Sequence, residues 1–197
     1  MKFVGTPVSA GVVVGKTYLY ERFVPEISAL AVGNPVEDAT HYAIARDTAQ
    51  KELEGLRRYF AEANDPEKAA ILAAHLEILA DETMDEEIRN GISEGENSGS
   101  WIIHSVYEQY ARIFEQLDDP LIRERAVDLR DVCARLLRCW EGLPERNLSD
   151  LPEPVIIATH DLVPSDTATL DRKNVLGIIT EVGGSTSHSA IIARSYE

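Results

Sequence analysis

Sulfur and positive charge are scarce in this chain, and long apolar runs are missing. Two of its 197 residues are cysteine and two are methionine. Cys133 and Cys139 stand six apart in one predicted helix, on different faces, which disfavours a mutual disulfide. Neither has a partner at metal-ligand spacing, so both read as packing residues in a reducing compartment. Lysine and arginine number 19 against 34 aspartates and glutamates, a formal net charge of −15. Charge of that sign repels a phosphate backbone and an anionic membrane, which sets aside nucleic acid and membrane as partners and permits a basic protein. No apolar run reaches the roughly 20 residues of a membrane span, and Met1-Lys2-Phe3-Val4-Gly5 has no signal-peptide core. The expected compartment is the cytoplasm. Internal repeats and low-complexity tracts are lacking too.

What is present suffices for one sizeable core or two small ones, with 44% hydrophobic and 27% charged residues. Strand character lies at the ends and helix between them. Val12-Val13-Val14 and Tyr18-Leu19-Tyr20 are β-prone pieces around Gly15, and Val155 to Thr159 and Val175 to Thr180 read as short buried strands. Glu21 to Pro35, with two prolines and little periodicity, reads as a linker. Tyr42, Ala45, Ala49, Leu53, Leu56 and Phe60 recur every three or four residues, one apolar stripe on a long helix that stops near Asn64-Asp65-Pro66. Asp65 and Pro66 start a second helix, predicted to bury Ala70, Ile71, Ala74, Ile78 and Leu79. Asp81 to Met84 breaks it, and a short helix through Ile88 ends before Gly91. After a Gly- and Ser-rich loop over Glu94 to Ser100, Trp101 to Leu117 is helical through Ile102, Val106, Tyr110 and Ile113. Leu121 to Trp140 follows with Leu129, Val132, Leu136 and Trp140 inward, until Gly142 and Pro144 stop it. Short connections predict an antiparallel four-helix bundle over 36–143, inserted in a discontinuous α/β domain made of 1–20 and 151–197. Pro164-Ser165-Asp166 reads as a helix start within its second part.

The chain's chemistry concentrates near its end. Gly183-Gly184-Ser185-Thr186-Ser187-His188-Ser189-Ala190-Ile191-Ile192-Ala193-Arg194 sets a histidine among hydroxyls and small residues, between a strand and a helix predicted from Ser189. At such a helix start, free N–H groups and the dipole favour a phosphoryl anion by a few tenths to about one kcal/mol. The glycines permit close backbone approach, and Ser185, Thr186, Ser187 and Ser189 add donors. A histidine titrates close to cellular pH, so much of it is neutral, with one ring nitrogen free to attack. That is the chemistry of a transiently phosphorylated histidine. On spacing alone, a lone histidine beside serines reads at least as well as a solvated loop residue or a helix cap.

The segment resembles the phosphohistidine signature of the phosphoenolpyruvate-utilising enzymes, and is most similar to Enzyme I of the phosphoenolpyruvate-dependent sugar phosphotransferase system. Three other stretches match that family in the same order. Gly5 to Lys16 is similar to its N-terminal strand and turn, Arg123-Glu124-Arg125-Ala126-Val127-Asp128-Leu129-Arg130-Asp131-Val132 to its last long helix, and Asp161-Leu162-Val163-Pro164-Ser165-Asp166-Thr167-Ala168 to the stretch beside the active histidine. The histidine motif alone would also admit pyruvate phosphate dikinase and phosphoenolpyruvate synthase. Those carry a swivelling domain after a nucleotide-binding domain, for which this chain has no counterpart ahead of the motif.

The resemblance implies a discontinuous, truncated α/β phosphohistidine (swivelling) domain with an inserted antiparallel four-helix bundle. It implies phosphoryl transfer from phosphoenolpyruvate through Nε2 of His188 to the phosphocarrier protein HPr. Thr167 would hydrogen-bond the other ring nitrogen and orient the imidazole, while Gly184, Thr186, Ser187 and Arg194 would lie near the phosphate. Thr167 reads equally as a capping or packing residue, and Arg194 equally as one half of an ion pair. Lys68 and Arg125 match family positions near the histidine in the partner complex. HPr would dock along the second helix and the next turn, through Glu67, Lys68, Ala70, His75, Ile78, Asp81, Glu82, Met84 and Arg125. Pro66 before Glu67 and the charge of Glu77 depart from the family pattern and put partner choice in question. His75 has no second ligand at metal-binding spacing, so no metal site is expected. Phosphoenolpyruvate and Mg²⁺ would bind a C-terminal dimerisation domain of the full-length chain, of which this is an N-terminal fragment by expectation. The related domain of dihydroxyacetone-kinase phosphotransfer proteins and a non-catalytic partner-binding module are the competing readings.

Overall fold

Asn34 opens the first helix. Its side-chain oxygen accepts from the backbone N–H groups of Val36 at 3.3 Å and Glu37 at 3.5 Å, and Pro35 fills the first helical position, where no N–H is needed. In this computed structural model the described residues are 4–25, 27–28, 32–145, 148, 151–163, 166–167, 169–171 and 173–182. Helix α1 (Pro35–Glu62) buries Tyr42, Ala45, Ala49, Leu53 and Phe60, with Leu56 half-buried at the stripe's margin. The expected linker before it belongs in part to the same core, since Phe23 and Ile27 pack against it.

The same capping device repeats along the chain. Asp65, Asp81, Ser98 and Asp119 each accept a backbone N–H at the start of α2 (Pro66–Leu79), α3 (Glu82–Glu94), α4 (Gly99–Glu115) and α5 (Pro120–Trp140). α2 departs from the expected stripe. It buries Lys68, Leu72, His75 and Leu79, while Ala70 is exposed and Ile71, Ala74 and Ile78 are half-buried. The helix is apolar nearly all round, so spacing selects no face, and packing turns Leu72 and Leu79 inward. α3 also differs. It runs through Gly91 to Glu94 and closes on Gly95 in the left-handed region, φ 70°. A Cβ on Gly91 would come within 2.8 Å of Ile102 Cγ2, so this glycine permits the close approach of α3 to α4. α4 starts two residues before the expected point and turns Ile103, Tyr107 and Ala111 inward beside Ile102, leaving Val106 and Tyr110 half-buried and Ile113 exposed. α5 follows its predicted stripe through Leu129, Val132 and Leu136, with Trp140 half-buried and both cysteines buried as free thiols.

Five helices thus stand among the described residues, the four long ones expected and, between them, a third that is longer than the short helix expected there. They share one core, in which α1 packs on α2, α3 and α5, and α4 packs on α3 and α5. None of these helices is long and apolar enough to cross a membrane.

The chain divides into two compact units, Phe23–Glu145 and the combination of Met1–Arg22 with Arg146–Glu197. In the latter, β1 (Lys16–Tyr20), β2 (Val155–Thr159) and β3 (Val175–Thr180) form a parallel sheet in that order, with Tyr18 beside Ile157 and Ile157 beside Ile178. β1 pairs with a strand that follows the whole helical unit in sequence. One face of the sheet carries the second core, where Tyr20, Val155 and Ile157 join Leu148, Leu151, Leu162 and Leu170. On the other face Leu19 and Ile179 are exposed. Val12 to Val14 are exposed and lie outside β1.

Candidate functional site

Parallel sheets present ligand sites at the carboxyl ends of their strands, where the chain leaves the sheet into loops. Here that end is built from the residues after β2 and β3. The backbone N–H groups of Glu181 and Val182 both donate to the His160 carbonyl at 3.1 Å, joining the two strand exits. Above this join His160 Nδ1 and Glu181 Oε2 lie 2.9 Å apart, both exposed.

The exit of β2 folds into a turn held by its own side chains. Asp161 accepts from the Leu162 N–H at 2.8 Å, and the Asp166 carboxylate accepts from the Val163 N–H at 3.1 Å. Thr167 returns both its backbone N–H, at 3.1 Å, and its hydroxyl, at 3.3 Å, to the Val163 carbonyl. The other Asp166 oxygen accepts from the Tyr20 hydroxyl at 2.6 Å, and the Thr169 hydroxyl donates to the Asp166 carbonyl at 3.0 Å. Tyr20, Asp166, Thr167 and Thr169 are all buried, Thr167 at 1% exposure. A buried carboxylate survives only with partners such as these. Periodicity gives no hint of this pairing, because Tyr20 reads simply as a strand aromatic. Asp166 three residues after Val163, an Asp at a helix start, is the one local signal of it.

His188, Gly184, Thr186, Ser187 and Arg194 lie outside the described residues. The described chain reaches Val182, directly before Gly183.

The expected docking residues separate into two groups. Glu67, Ala70, Asp81 and Glu82 are exposed, Ile78 is half-buried, and Arg125 is exposed with its guanidinium 3.6 Å from Asp128. Lys68, His75 and Met84 are instead core residues, with exposures of 9%, 1% and 4%. The rotation of α2 carries Lys68 and His75 inward with Leu72, and Met84 lies on the buried face of α3 with Ile88 and Ile92. Lys68 Nζ stands 3.7 Å from Asp65 and 4.9 Å over the Phe60 ring. His75 Nε2 is 3.6 Å from Asp128 Oδ1, too long for a hydrogen bond. Asp81 is exposed but also caps α3.

Other charged clusters brace the helices. Arg130 binds both oxygens of Glu108, at 2.9 and 3.0 Å, and with Arg112 holds that carboxyl at about 2 against the desolvation that opposes it. Arg89 and Tyr42 donate to Asp85, and with Arg46 they outweigh its burial and keep it below the usual carboxylate range. Arg135 and Arg138 join Glu52 of α1 to α5, and burial with the Glu52 charge pushes the Cys139 thiol up to about 11, which makes it a poor nucleophile. Among the described residues no three His, Cys, Asp or Glu side chains converge to hold a metal.

Comparison with known proteins is consistent across the chain. Residues 4–125 match the family model described as "PEP-utilising enzyme, N-terminal", and residues 151–197 match "PEP-utilising enzyme, mobile domain". A phosphoenolpyruvate-protein phosphotransferase from Bacillus sp. (strain S) is 36% identical over 195 residues, and one from Enterococcus faecalis is 37% identical over 194. Each alignment takes in 98% of this chain, which spans 33% of the first relative's length and 34% of the second's. A solution NMR structure of an Enzyme I protein superimposes with a TM-score of 0.83 at 37% identity, over 96% of this chain and 77% of the other.

Proposed function

This chain belongs to the phosphoenolpyruvate-utilising enzymes as a relative of the N-terminal part of Enzyme I, and from that premise we propose that it carries a phosphoryl group on His188 and exchanges it with the carrier protein HPr. The strongest support is the match of residues 151–197 to the mobile-domain family, because that stretch holds both the histidine motif and the buried Thr167 turn.

In this reading the Nε2 lone pair of His188 attacks phosphorus. A P–N bond forms as the P–O bond to the enol oxygen of phosphoenolpyruvate breaks, and pyruvate leaves as its enolate. A nucleophile of the carrier then attacks the same phosphorus, its bond forming as the P–N bond to His188 breaks and the imidazole leaves. Thr167 orients the imidazole, and Gly184, Thr186, Ser187 and Arg194 surround the phosphoryl group. The carrier docks through Glu67, Ala70, Ile78, Asp81 and Glu82, with Arg125 easing approach of the phosphoryl charge. Carboxylates on that face suit fast encounter with a basic partner and easy release. Phosphoenolpyruvate and Mg²⁺ belong, by the same kinship, to a C-terminal domain of the full-length protein, and the working location is the cytoplasm.

Phosphorylated HPr is the direct probe. Acid-labile phosphate should appear on His188, and His188→Ala should abolish uptake while leaving HPr binding intact by titration. Undiminished uptake by the variant ends the assignment. Binding of HPr with no phosphate uptake by the wild-type chain would identify a non-catalytic docking module instead.

A further inference from the structure

The Tyr20–Asp166 hydrogen bond spans the two sequence-distant pieces of the sheet-containing unit. Tyr20 closes β1 near the amino end of the chain, and Asp166 sits 146 residues later in the turn after β2. At 2.6 Å the contact is short, and both side chains are more than nine-tenths buried. Removing a carboxylate from water costs free energy that a fold recovers only through directed hydrogen bonds, so an apolar pair would serve packing equally well or better. What the carboxylate adds is geometry. Its two oxygens take Tyr20 on one side and the Val163 N–H on the other, and Val163 in turn receives the backbone N–H and hydroxyl of Thr167.

We infer that Tyr20 and Asp166 are positioning residues for phosphoryl transfer, holding the Thr167 turn in one place through Val163. The inference rests on the proposed function, in which Thr167 orients the His188 ring. A hydroxyl that must meet a ring nitrogen tolerates little displacement, and a shift of about 1 Å can cost about a hundredfold in rate. A phenol hydroxyl tied to the last residue of a strand supplies a rigid reference point that the loop alone lacks.

The test uses the whole chain and phosphorylated HPr. Tyr20→Phe keeps the ring and deletes the hydroxyl, and Asp166→Asn keeps the shape but leaves only one acceptor oxygen. Each should lower the maximal rate of phosphate uptake about tenfold with KM for phosphorylated HPr unchanged. The double variant should be no slower than the slower single one, because the pair acts as a unit. Ring ¹⁵N shifts of His188 should move in both variants, a change that loosened packing elsewhere would not produce. Wild-type rates in folded Tyr20→Phe and Asp166→Asn, with unmoved ring shifts, overturn the inference and leave the proposed function standing. Absence of uptake by the wild-type chain overturns the function itself.

Discussion

His75 shows how far a single side chain's role depends on the direction in which its helix faces. On α2 it stands among residues expected to meet a partner, yet it is 1% exposed beside Leu72, with its Nε2 facing Asp128 at 3.6 Å. Truncating a buried ring leaves a cavity, so His75→Ala should destabilise the helical unit by about 2–3 kcal/mol in urea melts. Titration of the folded variant should return an unchanged HPr affinity, and a large loss of affinity at full folding would return His75 to the docking face. Glu108 is a second residue-scale case. Its carboxyl is held at about 2, below its ordinary 4.5, so its contribution to stability is complete above the ordinary value and is lost as pH falls from 4.5 through about 2. Glu108→Gln should cost about 1 kcal/mol at neutral pH, a modest figure because Arg130 is partly solvated. The gap between variant and wild type should close across that acid window, and a gap independent of pH would mean that the charge contributes nothing.

At the scale of elements, helix starts were legible and helix faces were not. Asn34, Asp65, Asp81, Ser98 and Asp119 cap by chemistry that acts within three residues, so the sequence alone places α1, α2 and α5 to within a residue or two. α3 resisted because Gly91 reads as a stop signal, whereas its lack of a side chain serves contact with Ile102 on α4. The true stop is Gly95, whose φ of 70° suits glycine. Gly91→Ala gains helix propensity of about 1 kcal/mol but drives a methyl group against a buried β-branched side chain, a conflict costing about 1–3 kcal/mol. The net result should be a loss of about 1 kcal/mol by thermal or urea unfolding. Gly95→Ala should lose a similar amount by a different route, backbone strain in the left-handed region. Unchanged stability in Gly91→Ala would show that Ile102 yields freely.

For the whole molecule, charge and topology decide different things. If the proposed carrier is a basic protein, a net charge of −15 makes their encounter sensitive to salt, because screening sets in within about 10 Å at 0.1 M. The association rate with HPr should therefore fall as salt rises, as stopped-flow mixing would show. A rate independent of salt would assign encounter to apolar contacts such as Ala70 and Ile78.

The sequence by itself determined the helix starts at Asp65-Pro66 and Asp119-Pro120, the strand pieces at Tyr18 to Tyr20, Val155 to Thr159 and Val175 to Thr180, and the histidine motif with the other stretches that carry the family resemblance. All of these arise from neighbours a few residues apart, where propensity, spacing and side-chain chemistry act directly. Only the tertiary structure decided that α2 hides Lys68 and His75 and that Gly91 is a contact point. It alone also brings Tyr20 to Asp166. An almost wholly apolar helix carries no periodic signal to choose a face, and a hydrogen bond across 146 residues has no local trace. Both choices are made by the packing of distant surfaces, which minimises exposed apolar area and leaves buried polar groups paired.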